Sequence, residues 1–483
     1  MASTAADLHI FFLPLLAPGH MIPILDLSIL ISARGARSTI ITTPSNADLI
    51  LRPSLSRSDS PNIHLLTIPF ASDQSPNLTE NLTGLRTPEV TPQFFASLCL
   101  LEPHFESLVI AHRPDCIISD VLYPWSAGLA KRHGIPRIAF HGTSYFSFTL
   151  MGLVGRLRLY DSVSSPDEPF VVPDLPHDIK LTRSQLFPMI ISPPEYMAGI
   201  SASLQETYGM VMNTFYELEP AYADSFKSAG WMRGWNVGPV FLRHWSVDSI
   251  RNRGGAAASD VFDWLDGKKA RSVLYVCFGS LPRFTAAQLP AAQLREIREG
   301  LEAAGRPFVW VVRGGLEEEG YVPVAGNGSG GFVIRGWAPQ LAILKHEAVG
   351  GFLTHCGWNS CMEGIAAGVP MVTWPLFADQ QFNERLLVDV LGVGVGVGSV
   401  VNSTREEERT VVVAERVAAA VEGVMGGGEE AEERRRKARE MKEAAEKAVR
   451  EGGASEGDLG RMVEELLALK RSRVEETEIK CGD

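Results

Sequence analysis

The alternation of short apolar runs with longer helical patterns is the feature that most constrains the fold of this chain. "HIFFLPLL" at 9–16 is followed by "MIPILDLSILISARG" at 21–35 and then by "STIITTP" at 38–44. Strands rich in Ile, Val and Phe that are separated by helices indicate βαβ units and a parallel sheet. The strands are nearly continuous in apolar residues, which is typical of a sheet covered on both faces. The sequence therefore predicts an α/β protein.

A polar, Gly- and Ala-rich run at 243–260 interrupts this alternation and is typical of a linker. Beyond it, apolar runs such as "SVLYVCFGS" and "PFVWVVR" alternate with helical patterns again. A chain of 483 residues is long enough for two large domains. We therefore expect an N-terminal domain at 1–245, a linker at 246–259, a second α/β domain at 260–458, and a final helix with a tail at 459–483.

Charge and cysteine content exclude several classes of partner. The net charge of −12 makes nucleic acid a poor partner, because an acidic chain repels the phosphate backbone. The six cysteines are far apart and form no CxxC pair, which is typical of reduced thiols and speaks against a structural zinc site. We therefore expect no structural zinc site, and we further expect no other metal and no resident cofactor.

The N-terminus lacks the features of a secretory signal. Its apolar run follows Asp7, and the first basic residue is Arg34, so the basic segment of a signal peptide is missing. The apolar runs also stay below the ~18 residues that a membrane span needs. We therefore expect a cytoplasmic protein without an integral membrane segment, and we expect it to be a monomer. In a cytoplasmic protein the N-glycosylation sequons are chance matches; they lie at Asn77, Asn81, Asn327 and Asn402.

The stretch "GFLTHCGWNSCMEG" at 351–364 is predicted to be a strand, a turn and the start of a helix. Ligands of open parallel sheets bind beyond the carboxyl ends of the strands, and the first amides of a helix attract anions. His355 and Ser360 add side-chain donors there, and Asn359 is expected at the N-cap. Glu363, one turn into the helix, can accept from a sugar hydroxyl.

The same stretch could instead hold a Cys/His nucleophile or a metal. Cys356 has no orienting base triad nearby, and Cys361 is expected inside a helix beside an apolar Met. The spacing H-C-x₄-C is not a metal-ligand pattern with a fixed geometry. The anion site is therefore the preferred interpretation.

Other strand ends carry polar residues as well. "VCFGS" ends in Gly279 and Ser280, which form either a second anion contact or an ordinary turn. In the N-terminal half, His20, Asp120 and Thr143 each follow or end a predicted strand. An Asp that accepts from one imidazole nitrogen raises the basicity of the other, so His20 and Asp120 together predict a general base.

The 44 residues from Trp337 to Gln380 resemble the signature box of plant secondary-product UDP-glycosyltransferases, and the resemblance extends over the whole chain. It implies a GT-B fold, in which two Rossmann-like parallel-sheet domains face each other across a cleft. The first domain would bind the acceptor and the second the UDP-sugar, and the last helix would return to the N-terminal domain.

The resemblance also implies roles for individual residues. His20 would be the catalytic base and Asp120 its partner. The expected UDP-sugar contacts are the uracil and ribose contacts Trp337, Ala338, Gln340 and Glu363, the diphosphate contacts Ser280, His355, Gly357, Asn359 and Ser360, and the sugar contacts Thr143, Trp358, Asp379 and Gln380. Gln380 resembles glucose users, whereas His at this position is associated with galactose. Gln381 and Phe382 depart from the commoner aromatic arrangement of the family. The resemblance therefore does not fix how the acceptor fits or how the donor preference is set at these positions.

The implied function is inverting transfer of a sugar, most simply glucose, from a UDP-sugar to a hydroxyl of a small apolar plant metabolite. Flavonoids and other phenolics, triterpenoids and steroids are the acceptor classes that the resemblance leaves open. One alternative is a catalytically silent protein of the same fold that binds the UDP-sugar or the metabolite. A nicotinamide-dependent oxidoreductase would share the strand pattern, but no G-x-G-x-x-G fingerprint follows a predicted strand.

Overall fold

A computed structural model describes residues 8–55, 62–70, 78–84, 91–194, 198–230, 232–242, 258–279, 291–312 and 330–481. The chain divides by contacts into two compact units. The first contains Met1–Gly142, Pro194–His244 and Lys447–Asp483, and the second contains Thr143–Pro193 and Trp245–Glu446. Most of the expected linker, 246–257, lies outside the described residues.

The strands follow the apolar runs of the sequence. They are β1 (His9–Leu13), β2 (Arg37–Thr42), β3 (Ile63–Thr67), β4 (Cys116–Asp120), β5 (Arg137–His141), β6 (Pro169–Val172), β7 (Ile179–Thr182), β8 (Gly209–Met212), β9 (Arg233–Asn236), β10 (Val273–Cys277), β11 (Phe308–Val312), β12 (Gly331–Arg335), β13 (Val349–Thr354), β14 (Met371–Thr373) and β15 (Gly394–Gly396).

The α-helices occupy the segments between the strands. They are α1 (Pro18–Ser32), α2 (Pro44–Asn46), α3 (Arg52–Leu55), α4 (Thr91–Leu98), α5 (Glu102–His112), α6 (Trp125–Arg132), α7 (Tyr145–Leu157), α8 (Pro188–Ile191), α9 (Ala198–Gln205), α10 (Pro220–Ser228), α11 (Ala258–Asp266), α12 (Ala291–Ala303), α13 (Gln340–Leu344), α14 (Trp358–Ala367), α15 (Gln380–Arg385), α16 (Ala414–Met425), α17 (Glu429–Val449) and α18 (Ala454–Cys481).

Shorter helical turns complete the chain trace. The 3₁₀ turns are Leu82–Gly84, Cys99–Leu101, Leu159–Asp161, Arg183–Gln185, Tyr216–Leu218, Val240–Leu242 and Glu406–Glu408, and the π-helical turns are Ala47–Leu51 and Leu386–Val390.

The sheet of the first unit is parallel throughout the described residues and has the order β3-β2-β1-β4-β5-β8-β9. The chain adds strands outward from β1 to β3, then returns to the other side of β1 with β4. Strand order therefore reverses between β1 and β4, as in doubly wound nucleotide-binding folds.

The sheet of the second unit repeats this arrangement in the part of the chain that the structure describes. Its order is β12-β11-β10-β13-β14-β15, again all parallel, and it reverses between β10 and β13. The hairpin of β6 and β7 is antiparallel and belongs to the same unit. The predicted α/β class with two Rossmann-like parallel sheets is thus confirmed.

Each sheet buries an apolar core against its helices. In the first unit, Phe11 of β1, Ile117 of β4 and Phe105 of α5 are fully buried in one cluster. In the second unit, Val276 of β10 and Leu353 of β13 pack in a cluster with α12 and α16 residues. Burial of both faces explains why these strands lack polar alternation.

Two segments belong to a compact unit whose other parts are distant from them in sequence. The segment Thr143–Pro193 belongs to the second unit, although the second sheet begins only at Val273. The final helix α18 belongs to the first unit, where Leu459, Met462 and Leu466 are buried and the Lys470 ammonium lies 2.8 Å from the Asp115 carboxylate.

Candidate active site

Both reversal points of strand order carry the residues that the sequence singled out. In the first sheet, His20 follows β1 and Asp120 is the last residue of β4. In the second sheet, Gly279 follows β10 and His355 follows β13. Side chains at the carboxyl ends of the two strands at a reversal point border the crevice in which such folds bind ligands. The topology therefore brings each pair together.

His20 and Asp120 form a tight pair in the first unit. The His20 Nδ1 atom lies 2.6 Å from Asp120 Oδ2, and the Leu122 amide donates to Asp120 Oδ1 at 3.0 Å. The Asp120 side chain is fully buried, whereas 32% of the His20 side chain is exposed. A carboxylate accepts hydrogen bonds, so the imidazole carries its proton on Nδ1 and presents the lone pair of Nε2. This is the arrangement of a general base.

The neighbours of this pair were not anticipated from the sequence. Arg137 is buried and donates to the Asp120 carbonyl oxygen, to Ser119 and to Thr207, and burial lowers the pKa of its guanidinium to about 10. Burial also lowers the pKa of His141, at the end of β5, to about 4, so its imidazole is neutral at neutral pH.

In the second unit, two glycines determine the position of the His355 ring. A β-carbon on Gly279 would lie 2.5 Å from His355 Nε2, and one on Gly357 would lie 2.4 Å from the same atom. Gly279 also has a φ of +92°, which a residue with a β-carbon rarely adopts. Burial lowers the pKa of His355 to about 4, so a neutral imidazole occupies this turn at neutral pH. The ring can donate to an anion without carrying a charge itself.

Helix α14 begins directly after the turn that carries His355. Its N-cap is Gly357, with φ −60° and ψ 137°, and no side chain caps the first amides. The expectation that Asn359 is the N-cap is wrong, because the chain is already helical at Trp358 and Asn359 is the second helical residue. The first-turn amides and the positive end of the helix dipole at such an N-terminus favour an anion. The local structure thus supports an anion site more directly than the sequence implied.

A hydrogen-bonded group surrounds the start of α13. Gln340 Nε2 donates to Ser360 Oγ at 2.9 Å and to Glu363 Oε2 at 2.6 Å. A serine hydroxyl that accepts from Gln340 keeps its own proton to donate elsewhere. Beside this group, 42% of the Trp337 side chain is exposed, whereas Ala338 is buried. An exposed indole next to paired polar groups suits a flat ligand with hydroxyls.

Two more of the expected sugar contacts, Asp379 and Gln380, lie at the start of α15. Gln380 Oε1 accepts from the amides of Leu376 at 2.9 Å and Phe377 at 3.1 Å. Backbone amides only donate, so this contact fixes the side-chain amide with its NH₂ group directed away from them. Asp379 Oδ2 accepts from Thr143 Oγ1 at 2.9 Å. The structure therefore brings Thr143 and Asp379 together, as expected for residues of one site.

Cys356 of the turn and Cys361 of α14 are both buried. Burial raises the pKa of Cys356 well above its usual value, and the neighbouring Cys361 raises it further. A thiol held protonated in this way is a poor nucleophile. Across the described ranges, no group of three or more His, Cys, Asp or Glu side chains is arranged to hold a metal ion. Ser280 lies outside the described residues, so its expected contact stays a prediction.

A family profile and named relatives match this chain. The profile described as "UDP-glucoronosyl and UDP-glucosyl transferase" matches residues 255–417. Scopoletin glucosyltransferase of Nicotiana tabacum is 41% identical over 475 residues, which are 95% of this chain and 98% of that protein. The chain belongs to the plant family 1 UDP-glycosyltransferases. UDP-glucose flavonoid 3-O-glucosyltransferase 7 of Fragaria ananassa is likewise 40% identical over 96% of this enzyme and 97% of its own length.

Solved structures agree with this assignment. The crystal structure of Glycyrrhiza uralensis UGT73P12 complexed with glycyrrhetinic acid 3-O-monoglucuronide has a TM-score of 0.88 and 36% identity, covering 98% of both chains. The crystal structure of Medicago truncatula UGT71G1 complexed with UDP-glucose has a TM-score of 0.79 and 25% identity, covering 97% of this chain and 100% of that one. This UDP-glycosyltransferase therefore has the GT-B fold that its sequence predicts.

The departure at Gln381 has a structural explanation in this glycosyltransferase. Gln381 is fully buried, accepts from Gln185 Nε2 at 3.3 Å and donates to the Ser399 carbonyl oxygen at 3.2 Å. Asn402 Nδ2 donates to the carbonyl oxygens of Gln185 at 3.2 Å and Ala378 at 2.8 Å. Buried amides thus tie the turn after β7 to the turn that carries Asp379 and Gln380. Sequence analysis named Gln381 without identifying these partners.

One helical stretch of the enzyme, Thr91–His112, is long and apolar enough to cross a membrane by length and composition alone. It contains α4 and α5, and Phe94, Leu98, Phe105 and Val109 are buried in the core cluster of the first unit. The Phe105 ring packs edge-on against Phe11 of β1 at 6.1 Å between centroids. These four residues therefore pack within this unit, whereas Leu100 and Ile110 of the same stretch are exposed.

Proposed function

We propose that this enzyme transfers glucose from UDP-glucose to a hydroxyl group of a small apolar plant metabolite, with inversion at the anomeric carbon. The observation that carries the proposal is the His20–Asp120 pair, in which a buried carboxylate holds Nδ1 of a partly exposed imidazole. The named relatives support the donor and the acceptor class, because one is a scopoletin glucosyltransferase and another a UDP-glucose flavonoid 3-O-glucosyltransferase.

The proposed reaction is a direct displacement. His20 Nε2 takes the proton of the acceptor hydroxyl while that oxygen attacks the anomeric carbon of glucose. The bond between the anomeric carbon and the diphosphate oxygen breaks, and UDP leaves with the bonding electron pair. Because the enzyme forms no covalent intermediate in this scheme, the configuration inverts through an oxocarbenium-like state, as in inverting glycosidases. Asp120 stabilises the imidazolium that results.

The donor side of the proposal rests on the second unit. The neutral His355 ring and the uncapped first turn of α14 would stabilise negative charge that develops on the departing UDP. The exposed Trp337 ring would stack on uracil. We assign the ribose to Glu363 with Ala338 and Gln340 beside it, the diphosphate to His355, Gly357, Asn359, Ser360 and Ser280, and the glucose to Thr143, Trp358, Asp379 and Gln380.

The assignment of domains follows from the same roles. We propose that the residues around His20 in the N-terminal domain bind the acceptor and that the domain after the linker binds the UDP-sugar. The flavonoid, phenolic, triterpenoid and steroid acceptor classes stay predictions, as do the cytoplasmic location and the monomeric state. The thiols fit a reducing compartment, because Cys99, Cys116, Cys277, Cys356 and Cys361 are all free.

The test is UDP release from UDP-glucose with a panel of phenolic and terpenoid alcohol acceptors. We expect His20→Ala to lower turnover on a weakly acidic alcohol by about 10²–10⁴-fold and to leave UDP-glucose affinity unchanged. His104→Ala, at an exposed position of α5, is the matched control and should behave as wild type. Retained turnover in His20→Ala would refute the base assignment. Binding of UDP-glucose without turnover of any acceptor by wild type would favour a silent binding protein.

A further inference from the structure

Asn383 is a buried polar residue that neither the signature box nor the proposed mechanism includes. It lies in α15, one turn after Asp379, and its side chain is fully buried. Buried amide groups in folded proteins are hydrogen-bonded, so the partners of such a side chain reveal what it holds in place.

The amide of Asn383 joins three separate segments of the second unit. Its Nδ2 donates to the Cys356 carbonyl oxygen at 2.9 Å and to Asp379 Oδ2 at 3.0 Å. Its Oδ1 accepts from Ser147 Oγ of α7 at 2.7 Å. A carbonyl and a carboxylate are both acceptors, so only one orientation of the amide satisfies these contacts. Each hydrogen of the NH₂ group has its own partner.

The contact with Cys356 sets the geometry of the turn that carries the proposed diphosphate contacts. Cys356 has a φ of +63°, which is strained for a residue with a β-carbon and needs support from its surroundings. In a trans peptide the carbonyl and the following N–H point in opposite directions. Anchoring the Cys356 oxygen on Asn383 therefore also fixes the direction of the N–H of Gly357, the N-cap of α14.

The contact with Asp379 sets the geometry of the proposed glucose contact. Asp379 Oδ2 accepts from both Thr143 Oγ1 and Asn383 Nδ2, so the carboxylate is held from two sides. Two charge-assisted hydrogen bonds to one oxygen restrict the rotation of the carboxylate. One amide group thus connects the residue assigned to the sugar with the turn assigned to the leaving group.

We propose that Asn383 is a positioning residue that aligns the glucose and the diphosphate of the donor for displacement. The inference rests on the proposed function. Displacement needs the anomeric carbon, the leaving oxygen and the stabilising amides in a fixed geometry, and a shift of about 1 Å can lower the rate about 10²-fold. Loss of Asn383 should therefore affect kcat and UDP affinity and leave the KM of the acceptor unchanged.

The test compares Asn383→Leu with Gln293→Leu. Gln293 of α12 is also a buried amide of the second unit, and it exchanges two hydrogen bonds with the backbone of Val412, which lies just before α16. Both changes remove a buried amide, so both should lower Tm. We expect kcat to fall about 10–100-fold and UDP affinity about 3–10-fold in Asn383→Leu only. Equal kinetic constants in the two variants would overturn the proposal.

Two further measurements keep the test decisive. If Asn383→Leu does not fold, Asn383→Ser replaces it, because a serine hydroxyl cannot reach both Cys356 and Asp379 and should still lower kcat. UDP affinity is measured by calorimetry without an acceptor. If wild type releases no UDP with any acceptor, the proposed function fails, while unchanged UDP affinity in the Asn383 variant refutes the positioning role separately.

Discussion

The substitution Asp120→Asn tests the general-base pair most directly, because it changes one oxygen to NH₂ without changing size. Asp120 accepts from the Leu122 amide on Oδ1 and from His20 Nδ1 on Oδ2. An Asn at this position has one acceptor oxygen for two donors. If that oxygen stays with the Leu122 amide, the NH₂ group faces His20 and can only donate. The imidazole would then accept on Nδ1 and carry its proton on Nε2, where the acceptor hydroxyl needs a lone pair.

The expected loss follows from what the tautomer supplies. General-base catalysis contributes about 10²–10⁴-fold, which corresponds to about 3–5 kcal/mol of transition-state stabilisation. Asp120 is fully buried and forms no part of the proposed donor site, so the KM of UDP-glucose should not change. The loss should be smaller for an acidic phenol than for an aliphatic alcohol, because a phenol ionises with less help from the base.

The assay is initial-rate UDP release with a phenol and an alcohol acceptor of similar shape. Asp224→Asn, at an exposed position of α10, is the matched control and should retain wild-type rates. Thermal unfolding of both variants checks that the fold is intact. Asp120→Asn with wild-type kcat on the alcohol, or with the same loss on both acceptors, would refute the reasoning.

Two further predictions concern the donor site. Trp337→Ala should weaken UDP-glucose binding by about 1–3 kcal/mol, the usual contribution of stacking on a base, and calorimetry that gives an unchanged Kd would contradict the stacking role. Burial lowers the pKa of His355 to about 4, so its ring should stay neutral between pH 8 and 5.5 and donate to the diphosphate without a charge. The Kd of UDP-glucose, whose diphosphate does not titrate in this range, should therefore be the same at pH 8 and pH 5.5, whereas tighter binding at low pH with proton uptake in buffers of different ionisation enthalpy would contradict a neutral ring.

The strand pattern and the positions of the strand ends could be read from the sequence because each depends on local periodicity. Apolar runs predicted β1 and β13, and the rule for parallel sheets placed His20 and His355 at their carboxyl ends. The resemblance then named residues of the donor site. These steps need no knowledge of which side chains touch.

The hydrogen-bond partners could not be predicted in the same way. Asn383 accepts a hydrogen bond from Ser147, which lies 236 residues earlier in the chain, and no spacing encodes such a contact. The N-cap of α14 was misplaced because Asn is a strong N-cap residue and Gly357 was expected to belong to the turn. The two glycines around His355 were recognised as turn residues, but their close approach to one ring depends on the pairing of β10 with β13.

The burial of Asn402 has a practical consequence for producing this enzyme. Asn402 belongs to the sequon Asn402-Ser403-Thr404, and only 5% of it is exposed because its Nδ2 holds the Ala378 and Gln185 carbonyl oxygens. A glycan is attached through that same nitrogen and is too bulky for the interior. Passage through a eukaryotic secretory pathway could therefore trap the chain unfolded. For expression in a host that secretes the protein, Thr404→Ala removes the sequon by changing an exposed residue. This substitution leaves the Asn402 amide and its hydrogen bonds intact.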